Sequence, residues 1–172
     1  KFEKVIGHNS YDVVILDDVT EGAAQTVLTA KHLINDDTPL MTMNSDQLVE
    51  WDVVDLFEDC KRFDALIPCF YGEGNAWSYA RCGQDGYVEE VAEKKQISEY
   101  ATAGYYYWSK GSDFVKYAEQ MIEDNSRTNG EFYVAPVYNW AIKDGKKIGV
   151  FMVDKLHSLG TPEDLKEYLG EV

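Results

Sequence analysis

The sequence is poor in positive charge. Sixteen Lys and Arg face thirty-one Asp and Glu, leaving a formal charge of −15 over 172 residues. Such a surface repels nucleic-acid backbones and anionic membranes, which excludes both as expected partners. A polyanionic ligand would need a local group of cations, a metal or helix N-termini. Histidine is equally scarce, and His8, His32 and His157 are too scattered to suggest a metal cluster. The three cysteines, Cys60, Cys69 and Cys82, are an odd number without zinc-like spacing; they are expected as reduced thiols of a cytoplasmic protein. No apolar run approaches the roughly 20 residues of a membrane span. No signal peptide, internal repeat, linker or low-complexity segment is evident.

What is present favours one globule. Hydrophobic residues make up 45% of the chain, and the length suits a single core rather than two, so residues 1–172 are read as one domain. Twelve Tyr and four Trp suit an aromatic-lined cleft for sugars or bases, although aromatics also fill cores. "YDVVILDD" (Tyr11 to Asp18) reads as a buried strand. "EGAAQTVLTAKHLI" follows as a helix capped by Thr20. "PLMTM" is the next strand, and "QLVEWDVVDLFEDCKRF" the next helix. This alternation predicts an α/β fold with a mainly parallel central sheet, in which the "YDVVIL" and "PLMTM" strands lie together. The second half predicts an antiparallel excursion: "ALIPCFY", "AWSYARC", "GYVEEVAE" and "TAGYYYWS" are strand-like segments separated by turns. "SDFVKYAEQMIEDN" is an amphipathic helix with Ser112 as its cap. Another helix is entered near Pro136 and ended by Gly145. "KKIGVFMV" is a strand. "GTPEDLKEYLG" closes the chain as a helix with Thr161 as N-cap, Pro162 in its first turn and Gly170 as its stop.

"PLMTMNSDQ" draws attention because an apolar strand stops at Asn44, Ser45 and Asp46. Open α/β sheets bind ligands beyond the carboxyl ends of their strands, so Asp46 is a candidate site residue. A helix cap is the alternative reading of the same carboxylate.

Several segments, taken in order, resemble the sugar-phosphate nucleotidyltransferases: "TEGAAQTVLTA", "NSDQ", "VEEVAEKKQIS", "ATAGYYYWSKG", "NGEFYVAPVYN" and "LGTPEDLKEYL". They run from about Asp12 to Leu169. The resemblance implies a GT-A-like Rossmann fold. It also implies transfer of a nucleotidyl group from a nucleoside triphosphate to a sugar 1-phosphate, with release of pyrophosphate, in nucleotide-sugar or polysaccharide biosynthesis. By the same resemblance, Gly22 and Gln25 meet the nucleotide base, and Asp46 is a catalytic, metal-binding aspartate. A hard carboxylate of this kind suits Mg²⁺, which would bridge phosphate oxygens and offset the repulsion from an acidic protein. Lys94 matches the lysine that touches the sugar-phosphate, with Lys95 beside it as an alternative. Gly104 matches a glycine that lets the sugar approach the backbone, and Glu131 a glutamate that hydrogen-bonds sugar hydroxyls. Each has a plain alternative: Gly22 opens a helix, Gly104 serves strand packing, and Glu131 is a cap or surface acid.

Two departures from the family pattern stand out. Ser158, in "HSLGT", occupies the place of a second metal-binding aspartate. Nothing like the family's Gly-rich, arginine-ended phosphate loop occurs, and the first residue is Lys. The sequence reading therefore expects an N-terminally truncated chain, inactive by itself, with an uncovered strand edge that admits a homo-oligomer. The competing functions are a GT-A glycosyltransferase, disfavoured by the single acid in "NSD", and a non-catalytic sugar- or nucleotide-binding module.

Overall fold

The computed structural model describes residues 11–171. His8 lies outside them. Helices α1 (Ala23–Leu28) and α2 (Lys31–Ile34) come first, followed by strands β1 (Leu40–Met43) and β2 (Gln47–Glu50) and helix α3 (Val53–Cys60). Five strands follow: β3 (Ala65–Tyr71), β4 (Ser78–Cys82), β5 (Val88–Glu93), β6 (Tyr100–Thr102) and β7 (Tyr105–Trp108). Helix α4 (Gly111–Glu123), a 3-10 turn (Ala135–Val137) running into α5 (Tyr138–Lys143), strands β8 (Ile148–Met152) and β9 (Lys155–Ser158), and helix α6 (Pro162–Leu169) complete the chain.

Seven strands form one sheet in the order β1-β7-β3-β6-β4-β5, with β8 alongside β3; β2 and β9 form a separate ribbon. Helices cover both faces. Leu56 and Cys60 of α3 pack over Leu66 and Tyr107 on one face. Phe114, Val115, Ala118 and Met121 of α4 join Trp108 and Tyr138 on the other. Strand side chains alternate in direction, so Tyr106 and Trp108 meet the α4 layer and Tyr107 the α3 layer. All four residues of β7 are therefore buried. Trp108 stacks on Tyr138 at 4.4 Å, and the Tyr138 hydroxyl donates to the carbonyl of Tyr107 at 3.2 Å. Burying one such side chain stabilises the fold by roughly 1.5–3 kcal/mol.

The α/β class holds, but the sheet is mainly antiparallel. Among the described residues only β3 and β8 pair in parallel; β1–β7, β3–β7, β3–β6, β4–β5 and β4–β6 are antiparallel. Strands β1 and β3 run in the same direction because both oppose β7. They are not neighbours, since the excursion returns β7 between them. "YDVVIL" is not a strand and does not lie beside "PLMTM": residues 11–16 have no regular structure, and Val13 and Ile15 are 72% and 83% exposed. A strand is held by its ladder partners, and none of the described residues pairs with this segment.

Other local expectations are also corrected. Gln47–Glu50 is strand, because Gln47 to Glu50 pair with Ser158 to Lys155. Helix α3 starts only after Asp52, whose carboxylate accepts from the amides of Val54 and Asp55. Gly22, not Thr20, precedes α1, and Thr20 donates to the Gly22 carbonyl. Ser112 lies inside α4; the amides of Gly111 and Ser112 are satisfied by the carbonyls of Thr38 and Asp36. The last helix follows the expectation. Thr161 and Asp164 form a reciprocal cap, and Gly170 ends the helix at φ 70°. Among the described residues no helix is long and apolar enough to cross a membrane.

Candidate functional site

Strand β1 ends at Met43, and the chain turns through Asn44–Asp46 before entering β2. The turn is anchored from two sides. The Asn44 amide donates to the Gly104 carbonyl at 2.9 Å, and the Leu159 amide to the Asp46 carbonyl at 2.8 Å. Asp46 is thus not a helix cap. Its side chain faces Gly160, where a Cβ would lie 3.2 Å from Asp46 Oδ2 and 4.0 Å from Asp164 Oδ2. The glycine leaves bare backbone between two carboxylates.

Gly104 separates β6 from β7 at φ +76°, a region that favours glycine. A Cβ there would fall 1.6 Å from Gln47 Oε1 and 2.8 Å from Asn44 Nδ2. The glycine is what lets the turn after β1 close against the sheet. Lys94 follows β5 and also has a positive φ, 53°; such a backbone costs a side-chain-bearing residue on the order of 1 kcal/mol or more. Its amide donates to the Trp77 carbonyl at 3.0 Å, and its ammonium lies 5.9 Å from the centre of the Tyr133 ring.

These elements surround an open cleft of about 550 Å³, with Asp46, Gly104, Lys94, Glu93, Trp77 and Tyr133 among its walls. Three of the sequence-predicted site residues, Asp46, Lys94 and Gly104, converge on it. Gly22, Gln25 and Glu131 do not line it. Gly22 (φ +134°) adjoins Ala23, which does. A Cβ on Gly22 would lie 2.5 Å from the backbone of Phe132, so close chain approach explains this glycine without a ligand. Gln25 folds back, its side-chain oxygen accepting from the Glu21 amide at 2.5 Å. Burial, and then the Glu131 carboxylate, raise the pKa of the Tyr133 hydroxyl. Ser158 does not stand free as a metal ligand: its hydroxyl donates to Asp164 at 3.0 Å. Thr161 and then Ser158 hold the Asp164 carboxyl below its ordinary pKa.

Sequence reasoning missed Glu93, Ser78, Trp77 and Tyr106. For Glu93 a signal was available. It shares the inward face of β5 with buried Val91, two residues earlier, and a carboxylate at a core-facing position asks for an explanation. Burial raises the Glu93 pKa, opposed by the Ser78 hydrogen bond and the charge of Lys94.

The donor chemistry beside Gly160 fits a hard divalent cation held by few protein ligands. Among the described residues no three His, Cys, Asp or Glu gather to hold a metal alone. Magnesium commonly takes one or two carboxylates and completes its shell with phosphate oxygens and water. Asp46 can supply such a carboxylate; Asp164 is already engaged by Ser158 and the Thr161 amide.

The family description "Nucleotidyl transferase" matches residues 7–168, nearly the whole chain. The chain belongs to the nucleotidyl transferase family. Its fold is similar to that of a nucleoside-diphosphate-sugar pyrophosphorylase from Vibrio cholerae RC9, with a TM-score of 0.76 at 23% identity over 90% of this chain and 67% of that one. It is also similar to a candidate glucose-1-phosphate thymidylyltransferase from Bacillus anthracis, solved with sucrose, with a TM-score of 0.69 at 18% identity over 90% of this chain and 62% of that one. The family member described here thus spans about two thirds of the length of these structures. No curated protein matches it.

Proposed function

We propose that this nucleotidyl transferase acts in nucleotide-sugar formation, joining a nucleoside triphosphate to a sugar 1-phosphate with release of pyrophosphate. The observation that carries the reading is the convergence of Asp46, Lys94, Gly104 and Glu93 on one cleft. In the proposed reaction a sugar-phosphate oxygen bonds to the α-phosphorus, the bond from that phosphorus to the bridging oxygen breaks, and pyrophosphate leaves. No covalent enzyme intermediate is needed, so the protein contributes position and charge. Lys94 would meet the sugar phosphate, and Gly104 would allow the ring to approach the backbone. Glu93 and Glu131 would accept sugar hydroxyls, while Gly22 and Gln25 would face the base. Bound at Asp46, Mg²⁺ would supply charge neutralisation to the phosphates.

Among the described residues lining the cleft, Lys94 is the single cation. A triphosphate brings several negative charges to a protein of charge −15. We therefore expect these residues to bind the sugar phosphate more readily than the triphosphate, and to show little turnover by themselves. The engagement of Ser158 by Asp164 favours, as a second reading, a sugar-phosphate-binding module without turnover. Calorimetry with glucose 1-phosphate as probe, on wild type and Lys94→Ala, tests the proposal. Binding that weakens at least tenfold in the variant supports it; equal binding by both, or none by wild type, removes it. Pyrophosphate release in the presence of Mg²⁺ separates enzyme from binding module.

A further inference from the structure

Three hydroxyl-bearing residues on the cleft wall, Ser78, Thr102 and Tyr106, have no role in the chemistry above. Ser78 is 7% exposed and Thr102 3%, and Tyr106 between them is also buried. Thr102 Oγ1 and the Tyr106 hydroxyl are 3.0 Å apart. The Ser78 hydroxyl donates to Glu93 Oε2. Burial pushes the Tyr106 pKa up to about 12, so this phenol keeps its proton.

The Ser78–Glu93 hydrogen bond has a fixed direction. An ionised carboxylate only accepts hydrogen bonds, and each hydroxyl has one proton to donate. Ser78 therefore gives its proton to Glu93, while Thr102 and Tyr106 share a hydrogen bond in which either can donate. A protonated Glu93 would remove that acceptor. The charged or titratable groups facing Glu93 are Lys94, which favours its ionised form, and the Tyr106 and Tyr133 hydroxyls.

We propose that Ser78 is a positioning residue: it holds Glu93 as an ionised acceptor in one orientation and restricts the cleft to sugar phosphates whose ring carries no second negative charge. This rests on the sugar-phosphate reading. The charged side chains lining the cleft are Asp46, Glu93 and Lys94, two acids and one base. One phosphate can be met by Lys94 and a metal at Asp46. A further anion on the ring would meet Glu93, whose charge is poorly screened where it is partly buried. Hydroxyl groups on the ring would instead donate to it.

The test uses the full chain as wild type, Ser78→Ala, Ser78→Thr and Glu93→Gln. Titration of the Glu93 side-chain carboxyl by carbon-detected NMR is expected to show a higher pKa in Ser78→Ala, with Ser78→Thr restoring the wild-type value. An unchanged Glu93 titration in Ser78→Ala overturns the positioning role. Calorimetry then compares glucose 1-phosphate with glucuronic acid 1-phosphate. Wild type is expected to prefer the neutral ring by about tenfold or more, and Glu93→Gln to lose that preference while still binding the phosphate. Equal affinity of wild type for both probes overturns the selectivity. If wild type binds neither, the sugar-phosphate reading and the selectivity fall together, and the Glu93 titration still judges the role of Ser78.

Discussion

The two walls of the cleft are built differently. Glu93 is held by Ser78, beside the buried Thr102–Tyr106 pair and a core where Trp108 stacks on Tyr138. Asp46 stands on an exposed turn whose neighbour is the two-stranded β2–β9 ribbon. The first wall is positioned by burial and ordered before any ligand arrives. The second is tied by backbone hydrogen bonds to Gly104 and Leu159, and its carboxylate has only bare backbone at Gly160 before it. The difference suits a ligand with a neutral, shape-selected end and an anionic end that brings its own metal. It also separates stability from binding, and four substitutions can break or sharpen that separation.

The largest expected effect lies under the ordered wall. Trp108→Ala should destabilise the fold by about 3–5 kcal/mol, measured by urea denaturation, because it empties a fully buried site beneath β7. A loss under about 1 kcal/mol would mean that this wall is not anchored as described. Next comes Gly104→Ala, at the hinge between the walls. It should cost more than about 1 kcal/mol, from the positive φ and the crowding of Gln47, and should weaken glucose 1-phosphate binding as well. Asp46→Asn should leave the melting temperature within about 2 °C of wild type, since no core contact is removed, while abolishing any Mg²⁺ dependence of phosphate binding. A collapse of the fold would give Asp46 a structural role instead.

The smallest effect concerns pH. The Glu93 pKa is raised by burial, so in the window above the ordinary carboxylate value the folded state holds a proton that the unfolded chain has lost. Stability should therefore fall as pH rises through that window and level off once folded Glu93 has ionised. Glu93→Gln should remove this component and be slightly more stable than wild type at neutral pH, as followed by thermal melts across pH. A Glu93→Gln variant with an unaltered stability–pH profile would show that the carboxylate is not held at a cost.

Much of this fold was legible in sequence where the signal is local. The capped helix at Thr161 to Gly170, the apolar stripe of α4 and the runs forming β3, β4 and β5 are all present. Asp46, Lys94 and Gly104, which share the cleft, each lie in a short contiguous motif. What escaped is non-local. The insertion of β7 between β1 and β3 depends on pairing Leu40 with Trp108, which no local period encodes. Gln47–Glu50 was misread because four residues running into a helix fit either period, and the ribbon partner lies more than a hundred residues away. Ser78 and Glu93 meet across a strand pair with a register shift at Arg81 and Cys82. Periodicity could place Glu93 inward, but could not say which hydroxyl would hold it.

Nitrogen-15 amide NMR of the chain titrated with glucose 1-phosphate, first without and then with Mg²⁺, tests the central claim that these two walls form one sugar-phosphate site. The account predicts shifts at Glu93, Lys94 and Gly104 on adding the sugar phosphate, joined by Asp46 and Gly160 when Mg²⁺ is present. Perturbations confined to the β2–β9 ribbon around Glu50 and His157, or movement at Asp46 with none at Lys94 and Gly104, would contradict it.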